Sequence, residues 1–229
     1  MQKVLPLAPA YAGSHVVDSK KRGTRFVKRM FDMLVSLCML VVLLPILLVV
    51  AVIAAVDTKG SPLFIQERMG RNGKPFRMVK FRTMSVQAPA NVATHQLVGA
   101  EQYISKVGGL LRKLSLDELP QLWNIFKGDM SFVGPRPVVL TENDLLDLRA
   151  KNGALSVRPG LTGLAQVNGR DTVTVVQKAC LDGIYARNVS VKMDLRILCK
   201  TVGYVLHSRG ICEGANPKIA ASVKRERSA

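Results

Sequence analysis

Residues 112–137 read RKLSLDELPQLWNIFKGDMSFVGPRP, and the rest of the chain has to position this stretch. In it the adjacent carboxylates Asp117 and Glu118 follow Ser115, and the S-x-x-E spacing is a capping box that predicts a helix beginning near residues 115–117. Pro120 suits the first turn of that helix, because the N–H groups there are unpaired in any case. A helix N-terminus favours negative charge, so we expect Asp117 to be an anion at neutral pH, available as a nucleophile or metal ligand.

Acidic residues in a first helical turn are also ordinary capping chemistry, and an isolated pair of this kind is more often structural than catalytic. The neighbours of this pair favour catalysis, because they are basic and stand in segments punctuated by glycine or proline. They are Arg112, Lys113, Arg136 and Arg158. Since an arginine fork can hold two phosphate oxygens at once, the stretch predicts a site for a phosphorylated substrate.

Three blocks of the sequence resemble the bacterial sugar transferases that initiate polysaccharide assembly, the monotopic phosphoglycosyl transferases. The blocks are QERMGRNGKPFRMVKFRTM (residues 66–84), LRKLSLDELPQLWNIFKGDMSFVGPRP (residues 111–137) and VRPGLTGLAQVNGR (residues 157–170). The resemblance covers about residues 28–210, and several long blocks in the right order are more specific than any single motif.

The resemblance implies a magnesium-dependent enzyme in which Asp117 is the covalent nucleophile and Glu118 its partner, both near the Mg²⁺. It implies that Asp117 attacks the β-phosphate of a UDP-sugar, that UMP leaves, and that polyprenyl (undecaprenyl) phosphate then takes the sugar-1-phosphate. The product would initiate exopolysaccharide or other glycoconjugate synthesis at the cytoplasmic face of the bacterial inner membrane. The predicted substrate-binding residues are Lys80, Arg82, Arg112, Arg136 and Arg158.

The composition of the 229 residues requires an anionic partner. A formal net charge of +17 suits nucleic acid, anionic lipid or a phosphorylated substrate equally well. A non-catalytic, membrane-tethered basic module that binds nucleic acid or anionic lipid is therefore the alternative to an enzyme. Aromatic residues make up only 5% of the chain and no nucleic-acid motif is present, so we expect no nucleic-acid partner. Homo-oligomerisation is left open.

Residues 34–56 contain no charge over 23 positions, which is typical of a membrane segment. As a straight helix they would extend about 35 Å, enough to span a bilayer core of about 30 Å. Pro45 at the midpoint and basic residues on both flanks favour a re-entrant hairpin instead, because a single crossing cannot keep both flanks inside.

Composition alone leaves the span and the re-entrant hairpin equally open, since proline is tolerated in membrane helices and long basic domains can override flank charges. The resemblance favours a re-entrant helix kinked at Pro45. The family often has a serine before this proline, whereas Leu44 stands here. The hydroxyl that could bond a freed carbonyl is therefore absent.

The sequence predicts a mainly helical α+β chain. We divide it into a flexible basic N-terminal tail (residues 1–25), the re-entrant membrane helix (residues 26–57), a small cytosolic catalytic domain (residues 58–210) and a basic C-terminal tail (residues 211–229). Two strands, residues 63–68 and 75–84, flank an Asn-Gly turn and predict a β-hairpin. Lys80 and Arg82 would lie on one face about 7 Å apart, close enough to share a diphosphate, although a solvated basic strand fits equally well.

Helices are predicted over residues 101–114 and over residues 141–152. The first would place Arg112 near the Asp117–Glu118 carboxylate pair, called the dyad below. Two amphipathic, interfacial helices follow at residues 173–188 and 191–208. Asp182 and Tyr185 match positions that the resembled family often keeps, but Val189 stands where an aromatic residue is common.

The remaining polar and aromatic residues give little support to other chemistry. For Trp123 and Phe126, packing in the core or at a membrane interface is favoured over stacking on a uracil ring. Cys38, Cys180, Cys199 and Cys212 lack metal-ligand spacing, and His15, His95 and His207 are scattered. The carboxylates are therefore the predicted catalytic groups.

Overall fold

The computed structural model describes residues 20–89, 97, 99–169 and 173–206, and helices make up most of that part of the chain. The helices are α1 (Lys20–Val42), α2 (Leu44–Thr58), α3 (Lys106–Lys113), α4 (Gln121–Lys127), α5 (Asn143–Asn152), α6 (Val175–Arg187) and α7 (Val191–Leu206). Strands β1 (Leu63–Met69) and β2 (Pro75–Phe81) form an antiparallel hairpin, and β3 (Ser131–Val133) and β4 (Gly160–Thr162) pair in parallel. The predicted mainly helical chain with a β-hairpin is confirmed.

The apolar segment folds as two helices with a sharp bend between them. α1 ends at Val42 and α2 begins at Leu44, and the two axes are bent by 67°. Pro45 lies in the first turn of α2, where its missing N–H removes no helical hydrogen bond. Because the proline ring excludes a carbonyl one turn earlier, the helix breaks just before it. The kink predicted at Pro45 is confirmed, and α1 also includes residues 20–25, which were expected in the tail.

In the part of the chain that the structure describes, neither helix alone has the length and apolar composition needed to cross a bilayer, whereas the bent pair together does. One side of the pair packs on the rest of the domain through residues that include Met39, Leu43 and Val50. The other side is an exposed apolar surface that includes Phe26, Phe31, Leu34, Val41, Leu48, Val52 and Val56. Apolar exposure on this scale is typical of a contact with a membrane or another protein.

The hairpin between the apolar segment and the catalytic stretch has the predicted Asn-Gly turn. Leu63 pairs with Phe81 at one end and Met69 with Pro75 at the other. Asn72 and Gly73 have φ values of 57° and 72°, the left-handed conformations that this residue pair tolerates best. β2 ends at Phe81 and not at residue 84, because Met84 forms an isolated bridge with Ile104 instead.

The helix predicted over residues 101–114 is shorter in the structure. Ala100–Tyr103 form a 3₁₀ turn, and α3 begins only at Lys106. The Ser105 hydroxyl caps it by accepting the Gly108 N–H at 2.8 Å. A Cβ on Gly108 would lie 2.3 Å from the Thr83 carbonyl oxygen, so this glycine allows α3 to approach the end of the hairpin.

The later helices agree with the sequence pattern. α5 begins at Asn143, two residues after the predicted start, and ends at Asn152; Gly153 follows as the expected left-handed cap, with a φ of 83°. α6 and α7 lie within the predicted ranges as far as the described residues extend.

The main core joins α4, β3, α6 and α7 to the inner side of α1. Its fully buried side chains include Leu122, Ile125, Met130, Val133 and Ile197, and each such chain contributes about 1.5–3 kcal/mol through burial. Trp123 lies outside this core with 53% of its surface exposed, so of the two predicted alternatives core packing is wrong for this residue and packing at a membrane interface stays a prediction. Its ring instead lies 5.7 Å from that of Phe126.

Candidate active site

The adjacent carboxylates lie in a short turn between α3 and α4. Ser115 has a left-handed backbone (φ 56°, ψ 21°), Leu116–Glu118 form one 3₁₀ turn, and α4 starts at Gln121. The predicted capping box is wrong: the Ser115 side chain makes no cap hydrogen bond, because an N-cap requires a different backbone conformation. A left-handed residue other than glycine costs about 1–2 kcal/mol, and such strain is concentrated at functional sites.

Three separate segments bring basic side chains to this turn. Asp117 is only 6% exposed, and it interacts electrostatically with Lys80 from β2, Arg112 from the last turn of α3 and Arg136 from the Gly-Pro-Arg-Pro corner after β3. Arg136 Nη2 also donates a hydrogen bond to Glu118 Oε1 at 2.7 Å. The structure thus places these five predicted site residues together, and we refer to them as the dyad cluster.

Burial governs ionisation in the dyad cluster. It raises the pKa of Asp117 to about 6, and Glu118 adds to the rise while Lys80, Arg112 and Arg136 oppose it. The Asp117 carboxyl is therefore mainly ionised at pH 7, as expected, although burial and basic neighbours set its pKa and no helix N-terminus does. Burial lowers the pKa of Lys80 to about 8, and the Asp117 charge opposes this fall. Between about pH 6 and about pH 8, an ionised Asp117 carboxylate therefore interacts with a protonated Lys80 amine.

The backbone of Arg136 is supported by a buried ion pair between Arg149 and Asp182. Arg149, which is 3% exposed, donates from Nη1 to the Arg136 carbonyl oxygen at 3.0 Å and from Nε and Nη2 to Asp182 Oδ2 at 2.9 and 2.6 Å. Tyr185 supports the strand before the corner, since its hydroxyl lies 2.9 Å from the Val133 carbonyl oxygen. Asp182 and Tyr185, which the resemblance singled out, therefore act in the structure as positioning residues.

Arg82 lies at the margin of the dyad cluster. Lys80 Nζ and Arg82 Cζ lie 5.4 and 5.7 Å from the centre of the Phe64 ring, so the two side chains share one side of the hairpin as predicted. Arg82 Nε also donates to the Ser61 carbonyl oxygen at 2.9 Å. That the pair shares one diphosphate stays a prediction.

Arg158 belongs to a different part of the molecule. Its Nε donates to the Gly128 carbonyl oxygen at 2.8 Å, at the C-terminal end of α4. Arginine suits that position because the carbonyl end of a helix carries partial negative charge. The charged groups that affect Arg158 are Arg71, Arg29 and Asp32, none of which belongs to the dyad cluster.

An apolar cavity of about 190 Å³ opens beside Glu118. Its walls come from α1, the dyad turn, the segment around β4, and α7. They include Met39, Leu119, Leu161, Val167 and Leu198. The cavity therefore connects Glu118 with α1 through an apolar environment.

The two carboxylates fit a magnesium ion better than a transition metal. Within the described residues no group of three His, Cys, Asp or Glu side chains could enclose a metal. Magnesium commonly binds through one or two carboxylates and takes its other ligands from water and substrate phosphates, whereas zinc prefers three or four protein ligands. Cys38, Cys180 and Cys199 are free and exposed; His15, His95, His207 and Cys212 lie outside the described residues.

Arg68 was not predicted as a site residue, yet it lies near the dyad cluster. Burial and Arg136 lower its pKa to about 10, while Glu142 and Glu118 oppose the fall. Strand alternation could have indicated Arg68 as a site residue. Phe64 pairs with Lys80, and alternate residues of β1, including Arg68, lie on the same face of the hairpin as these two.

Residues 23–208 match the family model described as "Bacterial sugar transferase". "UDP-galactose-lipid carrier transferase" of Erwinia amylovora is 37% identical over 226 residues, covering 88% of this chain and 46% of that protein. "Uncharacterized sugar transferase EpsL" of Bacillus subtilis is 44% identical, covering 81% of this chain and 90% of that protein. "UDP-glucose:undecaprenyl-phosphate glucose-1-phosphate transferase" of Klebsiella pneumoniae is 38% identical, covering 86% and 43%. The chain thus spans less than half of two of these relatives and most of the third.

Proposed function

The chain belongs to the bacterial sugar transferase family, and we propose that it is a phosphoglycosyl transferase that moves a sugar-1-phosphate from a UDP-sugar to polyprenyl (undecaprenyl) phosphate. Two relatives carry names that refer to UDP-galactose and to UDP-glucose, so the sugar is not assigned. The observation that carries the proposal is the enclosure of buried Asp117 by three basic side chains, next to an apolar cavity. The product would initiate exopolysaccharide or another glycoconjugate.

The proposed reaction has two displacement steps. In the first, an Asp117 carboxylate oxygen attacks the β-phosphorus, the bond to the oxygen bridging the two phosphates breaks, and UMP leaves with that electron pair. In the second, a phosphate oxygen of the acceptor attacks the same phosphorus, the aspartyl–phosphorus bond breaks, and the carboxylate is regenerated. With a fully ionised acceptor phosphate neither step requires a proton transfer.

The dyad cluster supplies the charge that these steps need. Attack at phosphorus adds charge to oxygens that are already negative, so fixed cations lower the barrier. Arg112 and Arg136 offer planar forks to the diphosphate, and protonated Lys80 offers a compact charge. Mg²⁺ held by Asp117 and Glu118 would supply further neutralisation of the phosphate oxygens. Arg136 is already bonded to Glu118, and it would therefore link a metal-binding Glu118 to the substrate.

The apolar cavity beside Glu118 gives the acceptor a place next to the dyad. An isoprenoid chain needs apolar walls, and its phosphate needs to reach the carboxylates. The cavity provides both, because Met39 and Leu198 line it together with Glu118. The acceptor would enter from the side of α1, where the lipid phase would lie.

The bent helix pair supports a monotopic protein at the cytoplasmic face of the inner membrane. Met39 and Leu43 from the middle of the apolar segment pack against the domain core, and Val50 packs against Phe81 and Leu111. A straight span would have to take these domain contacts to the bilayer centre. Shallow insertion keeps the soluble donor and the lipid acceptor on one face.

The reaction is tested by release of UMP from purified full-length protein. A panel of UDP-sugars is supplied with Mg²⁺ and polyprenyl phosphate, with and without a chelator. We expect chelator-sensitive UMP release with at least one sugar. No release with any sugar would favour the alternative, a non-catalytic basic module.

Membrane topology is tested with single cysteines in a background lacking the four native ones. Gly23→Cys and Ser61→Cys are suitable positions, because a Cβ on Gly23 meets nothing within 4 Å and Ser61 is exposed. Both should resist a membrane-impermeant thiol reagent in intact cells. Labelling of one alone would establish a single span.

A further inference from the structure

A second cleft gathers basic side chains around the N-terminal half of α1, away from the dyad cluster. Four cations line it: Arg25 and Lys28 from α1, Arg71 from the hairpin turn, and Arg158. Asp32 is the one acidic residue among its lining residues. We refer to this group as the α1 cleft.

The acids near the α1 cleft are already engaged. Asp32 is 1% exposed, and its Oδ1 accepts the Phe132 N–H at 3.2 Å. Asp194 forms an ion pair with Lys28. Lys28 is therefore neutralised within the protein, whereas three arginines face a single carboxylate that has a partner of its own.

Two of these arginines are held in place by backbone groups. Arg71 Nε donates to the Ser156 carbonyl oxygen at 3.0 Å, and Arg158 Nε donates to the Gly128 carbonyl oxygen at 2.8 Å. Each anchor uses the nitrogen nearest the chain and so fixes the direction of the guanidinium group. A preformed arrangement of this kind loses little entropy when an anion binds.

Arg25 is different, because its Nε and Nη1 are shielded from solvent and have no hydrogen-bond partner among the described residues. Shielded charged donors without partners are costly, and native proteins rarely retain them without a ligand. Burial lowers the pKa of Arg25 and of Arg158, and Arg71 adds to both shifts through repulsion. The described residues therefore leave the α1 cleft short of negative charge.

We propose that the α1 cleft binds a phosphate group that is distinct from the donor diphosphate, supplied by the headgroup of an anionic phospholipid. Phosphate matches the cleft because its oxygens accept the forked donors of several arginines at once. The lipid source is favoured by position. Phe26, Val27 and Phe31, beside Arg25 and Lys28 on α1, are 67%, 57% and 48% exposed, and the uncharged run begins at Leu34.

The same helix therefore presents apolar side chains to a lipid phase and arginines to a cleft beside it. Arg25 lies before the apolar segment and Arg71 lies after it, in the turn at the far end of β1, and both line this cleft. This assignment rests on the membrane insertion in the proposed function, but not on the proposed reaction.

The test measures the thermal unfolding temperature of the full-length protein in neutral-detergent micelles. Phosphatidylcholine, phosphatidylglycerol or inorganic phosphate is added in separate titrations. A ligand that binds only the folded state raises the unfolding temperature with its concentration. We expect phosphatidylglycerol to raise it more than phosphatidylcholine does, with inorganic phosphate giving little effect.

The test variant is Arg25→Gln, which removes no hydrogen bond within the described residues, and Arg25→Gln combined with Arg71→Gln is the stronger form. The matched control combines Lys74→Gln with Arg77→Gln, two exposed cations of the same hairpin. Arg25→Gln should lose at least half of the phosphatidylglycerol shift, and the control should keep it.

An equal phosphatidylglycerol shift in Arg25→Gln and in wild type would overturn the site. An equally large shift with inorganic phosphate, lost in Arg25→Gln, would overturn the lipid assignment in favour of a soluble anion. Wild type is assayed for UMP release in parallel. A protein that shows the lipid shift but no UMP release would refute the transferase function and leave the α1 cleft supported.

Discussion

The dyad cluster and the α1 cleft both collect half-buried basic side chains, but they differ in their acidic residues. The dyad cluster surrounds two adjacent carboxylates, and Asp117 is mainly ionised at pH 7 in spite of burial. The α1 cleft surrounds only Asp32, whose pKa is raised by burial and whose oxygen accepts a backbone N–H. We propose phosphate binding at both places, but attack on phosphorus only at the first, by Asp117.

The comparison shows that positive charge alone does not identify the active site of this chain. The net charge of +17 is spread over more than one basic region. The proposed active site differs from the α1 cleft in its carboxylate pair, which lies in a strained turn, and in the apolar cavity beside it.

Asp117→Asn should lower turnover by more than about 1,000-fold, because asparagine keeps the shape of the side chain but cannot attack phosphorus. Glu118→Gln should also cripple the enzyme, mainly through the metal. UMP release is the measurement, and Glu67→Gln, an exposed carboxylate elsewhere on the hairpin, is the control that keeps its activity. If Asp117→Asn were active, Asp117 would not be the nucleophile, and the proposed difference between the dyad cluster and the α1 cleft would be lost.

The same substitution should stabilise the fold at neutral pH. The pKa of Asp117 rises from 3.8 to about 6 on folding, so the folded state binds the proton more tightly and loses stability as pH rises through this range. At about 1.4 kcal/mol per pKa unit, the free energy of unfolding of Asp117→Asn should exceed that of wild type by at most about 3 kcal/mol above pH 6. Below pH 4 the two should be equally stable. Denaturant unfolding at both ends of the range measures the difference.

Substitution of Arg149, which supports the backbone of Arg136, should distinguish a role in positioning Arg136 from a role in the stability of the fold. Arg149→Met leaves Asp182 buried without its partner and should cost about 3–5 kcal/mol of unfolding free energy. Arg149→Met combined with Asp182→Leu should recover most of that stability. Turnover should stay low in the double variant, because the bond to the Arg136 carbonyl oxygen is still missing.

If the recovered double variant also regained wild-type turnover, the Arg149–Asp182 pair would be structural only. Denaturant unfolding and UMP release on the same samples distinguish the two outcomes.

The pH dependence of kcat/KM should be bell-shaped. The proposed reaction requires ionised Asp117 and protonated Lys80, so kcat/KM should rise about tenfold per pH unit below about 6 and fall above about 8. These values belong to the coupled groups of the dyad cluster together. Lys80→Arg should move the upper limb to higher pH, since arginine stays charged. An unchanged upper limb would show that another group sets it.

The smallest effect is expected in the α1 cleft without added lipid. Arg25→Gln relieves the repulsion with Arg71, so it should raise the unfolding temperature by about 1–2 °C, which corresponds to less than about 1 kcal/mol. A fall in the unfolding temperature would mean that Arg25 already has a stabilising partner in the protein.

Local patterns predicted much of the fold. The Asn-Gly turn, the proline bend and the glycine cap after α5 each depend on backbone preferences of one or two residues, and all three occur where predicted. The capping box failed because Ser115 must turn the chain sharply out of α3, which a spacing pattern cannot show. The long helix over residues 101–114 failed because Ser105 caps a shorter one.

Strand alternation and the sequence blocks predicted that Lys80 and the two carboxylates would lie together, and the structure places them together. The contacts of Arg158 and Arg149 were not predictable, because they depend on residues that are distant in the sequence. Arg158 lies near Pro159 and Gly160 in a block typical of the resembled family, but the carbonyl end of α4 binds it. Arg149 lies in a helix with no special motif and becomes important only because Asp182, 33 residues later, lies against it.

The most direct test of the account is the mass of the intact protein after the first half-reaction. Wild type receives UDP-sugar and Mg²⁺ without polyprenyl phosphate, and the account predicts about one UMP released per enzyme and a mass increase of one sugar phosphate. Asp117→Asn should show neither. An unmodified wild-type mass under conditions in which turnover with acceptor is robust would contradict covalent catalysis by Asp117.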